Sequence, residues 1–235
     1  MARRTKGRFV LTGRIIFDEP FLVGGISPRA GLDVVPFQNG NGKVVIPGTS
    51  IAGVLRSWCN SNLRTWCDAN GVDPDDVIAI ASAFGQTTTS DRAIETAASL
   101  IGIDDIEMDN VTLETIDSVG IDRITGAAAR HIKHDRTVVS ARASGLLRIV
   151  CDVPDSSPDQ YGRDEVNSVR LLMFMIANAL RDAQLRVGRE TTKGFGRFHV
   201  SSTDGHDQFA DIVFQEASLH GLLNRLNPPG GSLNG

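Results

Sequence analysis

Apolar and polar side chains alternate between residues 8 and 17. Phe9, Leu11, Ile15 and Phe17 share one side, and Arg8, Thr12 and Arg14 fall mostly on the other. A period of two marks a β-strand with one face buried and one wet. A chain built round such a strand needs partner strands for its backbone and a second layer over its apolar side. The rest of the sequence supplies both. Leu147, Ile149, Cys151 and Val153 repeat the alternation within a β region at 136–153, and shorter strands are expected at Lys43 to Ile46 and Phe195 to Val200. Ile51, Val54, Leu55, Trp58, Cys59 and Trp66 recur at helical spacing, with Thr49 or Ser50 as the cap and Asn70-Gly71 as the stop. A second helix is expected over 163–187, where Val169, Met173, Ile176 and Leu180 share a face that Leu172 and Phe174 widen. Asp164 and Glu165 at its start and Arg181 and Arg186 near its end suit the helix dipole.

The order predicts an α+β fold with a ferredoxin-like or RRM-type βαββαβ core. The 235 residues exceed such a core, so insertions are expected at about 18–45, 72–120 and 126–145. Within 72–120, Val77 to Phe84 reads as a short helix, Thr87 to Ser90 as a polar cap, and the acid-rich residues 100–118 as a solvated insertion. Residues 1–200 form the domain and 201–235 a C-terminal extension.

A hydrophobic fraction of 41% is enough for a sizeable core. The net charge of −4 argues against a chain that binds nucleic acid with its whole surface, so an RNA function must rest on local residues. The densest basic run is Arg130, His131, Lys133, His134 and Arg136. His131 and His134 alone do not complete a zinc site. Three cysteines (Cys59, Cys67, Cys151) without CxxC spacing exclude a disulfide framework or cysteine zinc site. The sequence has no signal peptide and no run of about 18 apolar residues, so a cytoplasmic protein away from membranes is expected.

Three segments carry chemistry. Ile46-Pro47-Gly48-Thr49-Ser50 turns directly into a helix, so backbone N–H groups and two hydroxyls can point at one phosphate, with Arg56 two turns on. The same residues also fit an ordinary capped helix, which is the commoner case. Gly188 to Arg197 is a glycine-punctuated loop carrying Thr191, Thr192, Lys193, Gly194 and Arg197, without Walker A or dinucleotide spacing. It fits a phosphate cradle or a helix C-cap and tight turn. Ile121-Asp122-Arg123-Ile124-Thr125-Gly126 is a strand leading into a loop. Trp58 and Trp66 are expected in the core.

Taken together and in order, these segments resemble the RAMP (repeat-associated mysterious protein) superfamily subunits that polymerise along CRISPR guide RNA in type III effector complexes. That family carries an IPGSS-x-x-G-x-x-R turn, an IDR-x-T-G segment and a GxxTTxGFG-R loop. Residues 46–56, 121–126 and 188–197 are similar to these, and Leu22 to Asp33 is similar to the family's GG…G-x-D stretch. The resemblance implies an RRM-like core and subunits stacked on crRNA. It also implies that the insertions form a helical lid and a thumb-like β-hairpin, at about 126–144, that wedges into the guide–target duplex. RNA contacts are then expected from Lys43, Thr49, Ser50, Arg56, Arg123, Thr125, Arg130, Thr191, Thr192, Lys193, Gly194 and Arg197. Ala52 stands where the family commonly has lysine, and Lys43 is the candidate to replace that contact.

The resemblance further implies that Asp33 cuts target RNA beside each displaced base, with a divalent ion (Mg or Mn) for the cut and no structural metal. By its sequence setting alone, Asp33 is better read as a turn former before Pro36. Implied partners are crRNA, target RNA, other copies or related RAMP subunits, and the large signature and small subunits of the complex. Other readings are a guide-binding scaffold without catalysis, a stand-alone endoribonuclease for repeat RNA, and a small-molecule phosphate binder.

Overall fold

The computed structural model describes residues 5–25, 34–70, 83–90, 93–121, 123–154 and 165–201. The long strand β1 (Thr5–Phe17) is the spine. It pairs antiparallel with β11 (Ser144–Pro154), Leu11 opposite Ile149 and Ile15 opposite Gly145. On its other edge it pairs with β13 (Arg197–Ser201). Beyond β13 lies β12 (Leu185–Arg186). Beyond β11 lie β7 (Ile101–Ile103) and β8 (Ile106–Asp109), and β8 pairs with β4 (Val45–Ile46). The sheet order is therefore β12-β13-β1-β11-β8-β4, with β7 also on β11.

The alternation in β1 does what its sequence requires. Leu11, Ile15 and Phe17 are buried while Arg8, Val10 and Arg14 are exposed. Leu147, Ile149 and Cys151 of β11 join the same core. Helix α1 (Gly48–Asn70) covers that face with Ile51, Leu55, Cys59 and Leu63, an i, i+4 stripe. Helix α2 (Glu165–Arg181) adds Val169, Leu172, Met173, Ile176 and Leu180. Phe17 stacks on Phe21 at 3.8 Å between ring centroids and packs against Phe198 of β13. The chain is thus α+β and strand-dominated, with an antiparallel sheet carrying two helices on one face among the described residues.

Three two-stranded pairs lie outside this sheet among the described residues: β2 (Gly24–Gly25) with β3 (Val35–Pro36), β5 (Gln86–Ser90) with β6 (Ala93–Ala97), and the longer β9 (Leu113–Ile121) with β10 (Ala128–Val139). The β9–β10 hairpin is longer than the expected thumb stretch, because Leu113–Ile121 supplies its first strand.

Several sequence expectations are corrected. The acid-rich stretch does not form a solvated insertion over its first half, since Ile101, Ile106 and Met108 are buried in the core. Its acids alternate with these apolar residues and face outward, which is a strand pattern. Thr87 to Ser90 lies in β5, so it does not cap a helix. The second helix ends at Arg181, and Leu185–Arg186 is strand. Nor is α1 capped by Thr49 or Ser50: it already begins at Gly48, whose N–H donates to Asp105 Oδ1 at 2.8 Å. A Cβ at residue 48 would run into the Ile103 carbonyl, so glycine alone lets the helix start press on β7. The helix expected at Val77 to Phe84 lies mostly outside the described residues.

Candidate nucleic-acid interface

The first turn of α1 and the start of the glycine loop open onto one groove of about 600 Å³. Thr49, Ser50, Gly53, Ser57, Trp58 and Ser61 line its helix side. Gln184 to Gly188 lines the other. Two sequence segments separated by about 130 residues therefore line one groove. Gly53 leaves the floor open, since a Cβ there would meet nothing within 4 Å. Trp58 is half-buried and lines the groove instead of lying wholly in the core.

The glycine loop is held from below. Arg189 N–H donates to the Leu22 carbonyl at 2.8 Å, and Gly196 N–H to the Pro20 carbonyl at 2.8 Å. Gly188 has φ +98°, and a Cβ there would collide with the Leu22 carbonyl. Within the loop, Thr191–Lys193 makes one 3-10 turn after Glu190, itself left-handed at φ 59°. Thr192, Lys193, Gly194 and Arg197 are exposed and Thr191 half-buried. These five sit on the loop but do not line the groove.

Two carboxylates each sit between two cations. Glu19 accepts from Arg186 at 2.6 Å and meets Arg197 at 3.2 Å. Glu190 accepts from Arg136 at 2.7 Å and from Lys193 at 3.2 Å. Each of these acids thus holds two cations at this corner, while the neighbouring Asp18 faces His199 at 3.0 Å. Arg186 lines the groove, and its Nη1 donates both to Glu19 and to the Phe195 carbonyl at 3.1 Å.

Other expected contacts lie elsewhere. Arg56 is exposed on a flank of α1 that does not line the groove. Lys43 meets Glu107 at 2.9 Å on the far sheet edge. That hydrogen bond, helped by the carboxylate charge, holds the Lys43 ammonium above its usual range. Arg123 and Thr125 are exposed at the tip of the β9–β10 hairpin, beside Ile124, which is 95% exposed. Of Arg130 only the backbone, in β10, is described. Asp33 lies outside the described residues. Its neighbour Val34 is fixed: the Val34 carbonyl accepts the Thr137 N–H at 3.1 Å, and Val34 bridges Arg136 in parallel.

Sequence reasoning missed Arg186, Gly53, Ser57, Ser61 and Ile124. Thr49, Gly53, Ser57 and Ser61 recur every four residues, a small polar stripe visible in the sequence. An isoleucine inside a turn was the signal for the hairpin tip. Among the described residues no three His, Cys, Asp or Glu side chains cluster as metal ligands. Among them, too, no helix is long and apolar enough to cross a membrane.

An antiparallel sheet with helices on one face, a separate long hairpin and a groove shared by two glycine-rich turns defines the structural class. The family model of the RAMP superfamily matches residues 14–199, and the chain belongs to that superfamily. In fold it is similar to a chain of a solved structure described as "Type III-B Cmr-beta Cryo-EM structure of the Apo state". The two superpose with a TM-score of 0.58 at 10% identity, over 84% of this chain and 98% of that one. No curated protein sequence matches the chain.

Proposed function

We propose that this chain is a crRNA-binding backbone subunit of a type III CRISPR interference complex, and that it cuts complementary target RNA with Asp33. The observation that carries the reading is the common groove of Thr49, Ser50 and Gly53 with Val187 and Gly188. Membership of the RAMP superfamily and the Cmr-beta likeness support it. The strand order β13-β1-β11-β8, with a helix after β1 and another after β11, fits a ferredoxin-like core. Contacts here go to phosphate, so guide binding is independent of base sequence. Further copies of this chain or related RAMP subunits, with the large and small subunits, complete the particle.

The β9–β10 hairpin is the thumb, with exposed Ile124 as the apolar wedge at its tip. A target nucleotide displaced by that wedge is free to adopt in-line geometry. Its 2′-hydroxyl then attacks the adjacent phosphorus while Asp33 orients the hydroxyl and takes its proton. The new 2′-O–P bond replaces the P–O5′ bond, and the 5′ oxygen leaves with a proton from water. Most of the rate comes from positioning.

The test is Asp33→Ala in the assembled, guide-loaded particle. Guide binding is expected to persist and cutting to stop. Chelation of divalent ions is expected to stop cutting in the parent, and Mg or Mn to restore it. Undiminished cutting by Asp33→Ala refutes the assignment. A parent particle that holds guide but never cuts leaves a scaffold.

A further inference from the structure

The groove between α1 and the start of the glycine loop differs in chemistry from the loop beside it. Arg186 is the one charged side chain among the described residues that line it. Its Nη1 already donates to Glu19 at 2.6 Å and to the Phe195 carbonyl at 3.1 Å. Lys193 and Arg197 stand on the loop but outside the groove. The lining is otherwise neutral, made of hydroxyls, backbone, an amide and the apolar side chains of Val54 and Trp58. Affinity for a phosphate chain comes from cations, and this wall supplies few of them. A base with its ribose is uncharged, has a flat apolar face and carries hydrogen-bonding edges, so it matches such a wall better.

Trp58 packs against the core and is half-buried, so part of it is left to the groove. It stands four residues after Val54 on α1, which puts an aromatic and an aliphatic side chain in one apolar strip. The opposite wall carries Gln184, which is exposed. Ala183, left-handed at φ 52°, turns the chain after α2, and the Gln184 N–H donates to the Ala179 carbonyl at 3.1 Å. These contacts fix the backbone from which the Gln184 amide offers both a donor and an acceptor. The volume of about 600 Å³ lies within the range of small-molecule sites, roughly 300–1,000 Å³. A nucleoside fits that space, whereas a single phosphate leaves most of it empty.

We propose that this groove is a base pocket, in which one nucleotide of the bound guide RNA lays its base against Trp58 and turns a base edge to Gln184. The inference rests on the crRNA-backbone reading and adds to it a contact to a base beside the contacts to phosphate. Phosphates are held at the mouth, by the first turn of α1 and the glycine loop, and the base turns inward. Every base has a π face, so stacking here accepts any guide sequence.

The full chain is titrated, by fluorescence anisotropy, with two labelled single-stranded RNAs of equal length: oligoadenylate, and an abasic strand with the same riboses and phosphates. The parent is expected to bind oligoadenylate about 5- to 100-fold more tightly, the size of effect that stacking one base on one aromatic ring produces. Trp58→Leu keeps apolar bulk without a ring. It is expected to lose most of that preference while binding the abasic strand within about threefold of the parent. Trp58→Phe is expected to keep most of the preference. Equal affinity of the parent for both strands overturns the pocket and leaves guide binding through phosphates standing. An undiminished preference in Trp58→Leu overturns it too. If Trp58→Leu fails to fold, indole emission decides. Oligoadenylate is expected to quench the parent but not Trp58→Phe, in which Trp66 alone reports, and equal quenching in the two refutes the proposal. A parent that binds neither strand removes the crRNA reading itself, and the pocket with it.

Discussion

Two glycines that line the groove should respond to the same substitution with opposite signs. At Gly188 the backbone has φ +98°, and an added Cβ would collide with the Leu22 carbonyl and lie 2.9 Å from its carbon. Holding alanine in such a conformation costs roughly 1–3 kcal/mol. Relieving the collision pulls the loop from Leu22 and breaks the 2.8 Å hydrogen bond from Arg189 N–H. Losing that bond adds about 1 kcal/mol. Gly188→Ala should therefore destabilise the chain by about 2–4 kcal/mol, lowering its melting temperature by roughly 5–15 °C. Gly53 lies inside α1, and a Cβ there meets nothing. Gly53→Ala should stabilise the helix by about 0.5–1 kcal/mol. The new methyl, however, stands on the groove floor, so guide affinity should drop about tenfold, equivalent to ~1.4 kcal/mol. Urea unfolding of the isolated chain and anisotropy with labelled guide separate the two effects. The reasoning fails if Gly188→Ala unfolds at the parent midpoint, or if Gly53→Ala binds guide as the parent does.

Ile124→Ser should leave unfolding unchanged to within about 0.5 kcal/mol, because a 95% exposed side chain has little packing to lose. It should reduce base displacement in the guide–target duplex, read by 2-aminopurine fluorescence along the target; an unchanged profile counts against the wedge. Burial pushes the Cys59 and Cys151 thiols up to about 12 from an ordinary value of 9.0. The unfolded thiols ionise first as pH rises, so their stabilising contribution is complete below pH 9. It then falls by ~1.4 kcal/mol per thiol per pH unit toward pH 12. Urea midpoints between pH 8 and 10.5 should drop less steeply in a Cys59→Ala/Cys151→Ala variant, and equal slopes would refute this.

Local periodicity made the main elements legible. The alternation of β1 and β11 and the stripes of α1 and α2 each report which face is buried, and tertiary packing agreed with them. Signals that depend on distant partners were not legible. Composition hid the strand pattern of 101–109, because acids stand between its apolar residues. The true cap of α1 is Asp105, 57 residues beyond Gly48, and no local rule points to it. The groove was anticipated only as two candidate turns. Their convergence depends on Gly188 fitting against Leu22, a contact between segments 166 residues apart. The expected contribution of Lys43 met Glu107, which β4–β8 pairing brings alongside.

The acidic total does not oppose an RNA function, because the fold sorts its charges by location. Elsewhere on the sheet the ion pairs are one-to-one: Lys43 with Glu107, Arg148 with Asp104, Arg8 with Asp152. Those pairs cancel locally, and charges more than about 8 Å from a phosphate are screened at physiological salt. Around the glycine loop the ratio changes, with Glu19 serving Arg186 and Arg197 and Glu190 serving Arg136 and Lys193. Each acid fixes the direction of two cations without neutralising both. Flexible lysines or arginines without such acids would bring more charge but lose more side-chain freedom on binding. The two glutamates thus trade total charge for geometry, so removing Glu19 should raise local charge yet loosen the groove wall at Arg186.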